Sequence, residues 1–234
     1  MTDSHSNPLR RLIGMVRSPR ATLTSAIARP RSLELAVLIV SISAACSVGF
    51  LLTQVGQLAA LDQQVRQLES FGVVVTEEAY ANFRSWIPYR PVISAAVIVV
   101  GWPILWLALA GILKSAGDRM GGTASFAQVL TVVVHASAIF ALRSLIAAPL
   151  NYARESIGGA TSLSAIMPAF GESTFPARLL GAADIFVLWW MVLVAMGLGI
   201  LYATRTLPIA RWLLGAYAAG AVALALTQAL RGGI

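Results

Sequence analysis

Apolar residues run almost unbroken through five stretches of this chain, at roughly 34–57, 91–114, 127–149, 180–203 and 207–230. Each is close to the ~20 residues that an α-helix needs to cross about 30 Å of hydrocarbon. The runs are too long for barrel strands, and a helix in lipid satisfies its own backbone groups. The pattern therefore predicts an all-α integral membrane protein with five transmembrane helices.

Outside the long runs the periodicity changes. In residues 1–32 the stretch "PLRRLIGMVRSPRATLTSAIARPR" places Leu9, Leu12, Ile13 and Val16 at helical spacing with arginines between them. Ser18-Pro19 reads as the cap and first position of a second short helix, which Pro30 stops. Two basic amphipathic helices on the inner leaflet are expected, ahead of a single membrane domain spanning 33–234. In the outer loop 58–90, Leu61, Val65 and Leu68 recur at helical spacing, and Thr76 caps a segment bearing Tyr80, Phe83 and Trp86. The second outer loop, 150–179, is punctuated by Gly158-Gly159, Pro168, Gly171 and Pro176 and reads as irregular. The link "ATRTLP" is short enough to make the fourth and fifth helices antiparallel neighbours. Ala195 with Gly199, and Gly215 with Ala219, are small residues four apart that suggest their contact faces. Pro103 inside the second run predicts a kink.

Composition agrees with this picture and charge orients it. The chain is 58% apolar and 12% charged, with a mean hydropathy of +0.78. The net charge of +7 does not point to nucleic acid, because the basic residues lie beside the spans and no soluble binding domain remains. Arg10, Arg11, Arg17, Arg20, Arg29 and Arg31 crowd the first 32 residues against Asp3 alone, whereas loop 58–90 holds Asp62, Glu69, Glu77 and Glu78. Positive-inside bias places the N-terminus in the cytoplasm, and an odd number of spans places Ile234 outside. The six leader arginines are candidate contacts for lipid headgroups of the anionic inner leaflet, or for a partner. Lys114 is the only lysine, an arginine skew that looks like a GC-rich bacterial genome and a bacterial cytoplasmic (inner) membrane. Cys46 is the only cysteine and lies in the first run, so no intrachain disulfide forms.

Polar residues within the third run are the candidate chemistry. On a wheel at about 100° per residue, Gln128, Thr131, His135 and Arg143 fall on one side. Arg143 lies about 12 Å of rise beyond His135, near the outer surface. Asp184 opens the fourth helix at a similar depth, so it pairs with Arg143 or serves as a helix-start acid. Intramembrane ionisable residues mark either a functional path or a clasp between helices. His135 and the tail residue His5 are the only histidines, and neither has the companions a metal site needs. No GxSxG, P-loop or HExxH spacing is present, so no catalytic, cofactor-binding or metal residues are assigned.

Three segments in order, "LIGMVRSPRATLTSAI", "GGTASFAQVLTVVVHASAIFALRSL" and "DIFVLWWMVLVAMGLG", make the chain resemble the Yip1-domain family, specifically its bacterial members. The resemblance runs from about Leu9 to Leu230. It implies a five-span bundle with a cytoplasmic N-terminus. Eukaryotic relatives are trafficking factors that bind small GTPases and one another, but this chain lacks their long cytosolic N-terminal domain. The expected role is thus a non-enzymatic scaffold that recruits other membrane proteins or itself. The alternative is a transporter, or a lipid or small-solute translocator, using the polar side of the third helix.

Overall fold

The computed structural model describes residues 7–157, 159, 161–163, 180–181 and 183–232. Asp3, His5, Gly158, Pro168, Gly171, Pro176 and Ile234 lie outside the described residues. Every named element is helical, and the one β-contact among the described residues is an isolated bridge between Ser162 and Asp184. The leader forms α1 (Pro8–Arg17) and α2 (Pro19–Ala28), followed by α3 (Leu33–Leu51), α4 (Gln54–Glu69) and α5 (Glu77–Ser85). Next come α6 (Arg90–Arg119), α7 (Phe126–Ala136), α8 (Ala138–Ala153), α9 (Ile185–Leu201) and α10 (Thr206–Gly232).

Among the described residues four segments are long and apolar enough to cross a membrane: Leu33–Leu51, Glu77–Arg119, Phe126–Ala153 and Thr206–Thr227. The fourth predicted run yields α9, which is apolar but has only 17 residues. Its start is set by Asp184, whose side chain accepts from the first-turn amides, rather than by the apolar pattern that suggested 180. The first run also ends earlier than its composition implies. Thr53 accepts from Gly56 N and donates to the Phe50 carbonyl, so residues after Leu51 start a new helix, α4.

The third run is the centre of the molecule. In the most apolar 18-residue window of Phe126–Ala153, 61% of residues are buried inside the protein, against 6% for the matching window of Glu77–Arg119 and 11% for that of Thr206–Thr227. Beyond Thr131 the sequence is valine- and alanine-rich, and Val132, Val133, Val134, Ala136, Ala138, Ile139 and Ala141 are all buried. A helix apolar on every side suits such a position. Packing comes from α6, α9, α3 and the leader. The sequence expected one polar side turned to the bundle, whereas α7 is enclosed on all sides from Thr131 to its end.

The leader hairpin belongs to the same core. Met15 of α1 and Leu23 of α2 are fully buried, and Ile27 is nearly so. α1 packs on α3, α7 and α8, and α2 packs on α7 and α9. Withdrawing Met15 and Leu23 from water contributes roughly 1.5–3 kcal/mol each. Arg11 closes the hairpin by donating from Nη1 to the Arg31 carbonyl at 2.8 Å.

Two close approaches depend on glycine. Gly121 has φ +83, a left-handed turn after α6, and the ring of Tyr202 lies where a Cβ on Gly117 or Gly122 would sit. Gly197 of α9 faces Val132 of α7 so closely that a Cβ there would overlap the valine methyls. α9 and α10 are antiparallel neighbours as expected, but not through the anticipated face. Gly199 lies against Thr204 and Thr206 in the return, whereas a Cβ on Gly215 would meet nothing within 4 Å among the described residues, and Gly215 turns outward with Trp212 and Ala219. Ala210 and Ala225 are the buried small residues of α10.

Candidate functional site

The expected polar stripe separates into three places. Gln128 is spent at the start of α7. Its side chain accepts from Ser125 N at 2.9 Å, and its own N–H donates to Ser125 Oγ at 3.3 Å, a reciprocal capping box. It is therefore a helix-start device and not a member of an intramembrane cluster.

Thr131 and His135 lie deeper and are both buried. The His135 ring nitrogen Nδ1 is 2.8 Å from the Thr131 carbonyl, a contact that needs a proton on Nδ1 and leaves Nε2 as an acceptor. Among the described residues neither His135 Nε2 nor Thr131 Oγ1 has a partner.

Arg143 and Asp184 meet at the far end of the same span. Arg143 Nη2 and Nε reach Asp184 Oδ2 at 2.9 and 3.0 Å, and Nε also donates to Thr161 Oγ1 at 3.2 Å. Thr161 Oγ1 donates to the same carboxylate oxygen at 2.5 Å. The other oxygen, Oδ1, accepts from Phe186 N at 2.8 Å and Val187 N at 3.3 Å. Asp184 is thus the ion-pair partner and the helix-start acid at once. Its own N–H donates to the Tyr217 hydroxyl at 3.3 Å, which brings α10 into the cluster. The pair is not deeply enclosed, since the Arg143 side chain is 43% exposed.

Between these two places lies a joint that sequence reasoning missed. Ser137 interrupts the third run, with Phe140 N bonding back to the Ser137 carbonyl at 3.0 Å, and separates α7 from α8. Its hydroxyl donates to the Val133 carbonyl at 2.8 Å. The two lone pairs accept from Trp106 Nε1 at 2.9 Å and Trp190 Nε1 at 3.2 Å. One donor and two acceptor sites are all a serine hydroxyl has, so Ser137 is saturated. Around it the rings of Trp102 and Trp106 lie 5.6 Å apart, Trp102 and Phe140 5.2 Å, and Phe140 and Trp190 5.9 Å. Three helices, α6, α8 and α9, are joined there. Two serine pairs fasten α3 as well, Ser47 to Ser94 of α6 at 2.8 Å and Ser144 of α8 to Ser43 at 3.4 Å. The i, i+4 spacing of Ser43 and Ser47 in "SISAACS" is the signal that would have found them.

Of the leader arginines, Arg11 is partly buried against the bundle, while Arg10, Arg17, Arg20, Arg29 and Arg31 are exposed. At the other end of α9, the Tyr202 hydroxyl is buried without a partner among the described residues. Burial first, and then the nearby Asp118 carboxylate, raise this phenol above its ordinary range, while Lys114 opposes the shift.

Helices of membrane length packed around a central apolar one, and fastened by hydrogen bonds and an ion pair, define a polytopic integral membrane protein. The family model of the Yip1 domain matches residues 13–228, and the chain belongs to that family. The match starts inside α1, so the docked hairpin falls largely within it. Comparison with curated proteins and with solved structures returned no match.

Proposed function

We propose that the protein is a non-enzymatic scaffold of a bacterial cytoplasmic membrane, which holds or recruits other membrane proteins through its bundle. Counting α9 as a fifth span gives a cytoplasmic N-terminus and an outer C-terminus, in line with the arginine-rich leader. The observation that carries this reading is how the polar groups of the third span are used. Ser137 is saturated by two indoles and a carbonyl, and Arg143 is held by Asp184 and Thr161. Side chains committed to fastening helices suit a fixed frame better than a path that must release its cargo.

Transport is the second reading, and one observation favours it. The unpartnered His135 Nε2 is a buried acceptor on the central helix. One experiment separates the two. Arg143→Leu and Asp184→Asn should each lower the folded yield from membranes, whereas His135→Ala should leave vesicle permeability to protons unchanged. Full yield from both cluster variants would remove the support for a fixed frame. Loss of a proton flux on His135→Ala, with the yield intact, would favour transport.

A further inference from the structure

The two helices of the leader hairpin turn opposite kinds of surface outward. Both bury apolar side chains in the bundle, Met15 from α1 and Leu23 from α2. On α2 the exposed positions include Arg20, Thr24 and Ser25, an ordinary water-facing surface. On α1 they include Leu9, Ile13 and Val16, which are 52%, 49% and 40% exposed.

At about 100° per residue those three side chains fall within roughly 60° of one another. Arg10 and Arg17, also exposed, lie together at about 80–100° from Leu9, along one rim of the stripe. Met15 and Arg11 occupy the far side, where Met15 is buried and Arg11 bonds the Arg31 carbonyl. That bond fixes α1 two residues from Leu33, where the first membrane-length helix starts. α1 therefore sits at the edge of the hydrocarbon layer, with an apolar face half-exposed among the described residues and two guanidiniums beside it.

We propose that the outward face of α1 is a binding site for anionic phospholipid. Leu9, Ile13 and Val16 enter the acyl boundary, and Arg10 and Arg17 engage headgroup phosphates. Charge complementarity selects this occupant: a stripe with cations along its rim matches an anionic leaflet, the arrangement of interfacial amphipathic helices. The water-facing surface of α2 beside it shows that the apolar exposure is confined to the helix at the membrane edge. The site stands whether the bundle is a scaffold or a carrier.

The test uses the full chain carrying Cys46→Ala and Ile13→Cys, with an environment-sensitive fluorophore at position 13, in phosphatidylcholine nanodiscs. A small fraction of doxyl-labelled phosphatidylglycerol or doxyl-labelled phosphatidylcholine is added as quencher. Each arginine at an anionic surface favours the acidic lipid by about five-fold, so two predict equal quenching by phosphatidylglycerol at roughly twenty-five-fold lower content at low salt. Arg10→Gln with Arg17→Gln should bring the two lipids close to parity, and a label at Thr24→Cys on α2 should be quenched by neither. Failure of both lipids to quench position 13 would show that the face does not meet lipid. Equal quenching by both in the parent, or a preference that survives loss of both arginines, would equally overturn the site.

Discussion

At the scale of single residues, the groups that matter most are those with no alternative partner. Removing the Ser137 hydroxyl strands two indole N–H groups in an apolar layer, so Ser137→Ala should cost about 1–3 kcal/mol. Ser47→Ala deletes one exchangeable hydroxyl pair and should cost no more than about 1 kcal/mol. Thermal unfolding midpoints in one detergent would rank the two, and an equal or smaller shift for Ser137→Ala would contradict its role as the joint. Tyr202 makes the opposite case. Its hydroxyl is buried with nothing to bond among the described residues, while its ring fills the space that Gly117 and Gly122 leave. Tyr202→Phe should therefore hold or raise the midpoint, and Tyr202→Ala should lower it. How much of this was legible in sequence depended on contrast. Arg143 and Asp184 stand out because charge is rare in apolar runs, and their matching depth follows from helical rise. Ser137 does not stand out, and its indole partners lie 31 and 53 residues away in sequence. Gln128 was legible and misplaced: Ser125-Phe-Ala-Gln128 is a capping-box spacing, and that local competitor claims the side chain.

At the scale of elements, the apolar pattern located the helices and misjudged their ends and their breaks. Caps decide the ends, with Thr53 closing the first span early and Asp184 starting α9 late. Hydropathy averages over a few polar atoms and does not see them. The interruption in the bundle falls at Ser137, whereas α6 runs as one helix through Pro103. Proline removes one backbone donor and crowds the carbonyl four residues back, which bends a helix without necessarily ending it; the serine joint instead takes hydrogen bonds from two tryptophans of other helices. Contact faces were the least legible, because small residues spaced four apart occur on lipid-facing sides too. Gly197, not Gly215, is where a neighbouring helix closes in, with the Val132 side chain filling the space of a Cβ. Gly197→Leu should therefore force α7 and α9 apart at Val132 and lower the unfolding midpoint by the equivalent of about 1–3 kcal/mol, while Gly215→Leu should be nearly silent. Matched shifts for the two glycines would refute this assignment of the interface.

At the scale of the whole molecule, the Yip1 domain here is a central helix wrapped by the others, with the leader hairpin docked at one end. Membrane class and family were both legible, the first from the long apolar runs and the second from three ordered segments. The docking of the leader was not, because three of the four residues of its predicted apolar stripe, Leu9, Ile13 and Val16, face out, while Leu12 packs partly against the core and Met15, outside that stripe, is buried. Topology is open to a direct check: a reporter active only outside the cytoplasm should be active when fused after residue 232 and silent when fused before residue 8. The reverse pattern would invert the arrangement read from the arginines.

The central claim is that this bundle serves by holding other membrane proteins. A photoreactive residue placed on the outward faces, at Val97 of α6 or Trp212 of α10, tests it most directly in intact native membranes. The account predicts an adduct of discrete, reproducible mass at one of these positions, either with a second copy or with a different membrane protein. Adducts with lipid alone at both positions would contradict it.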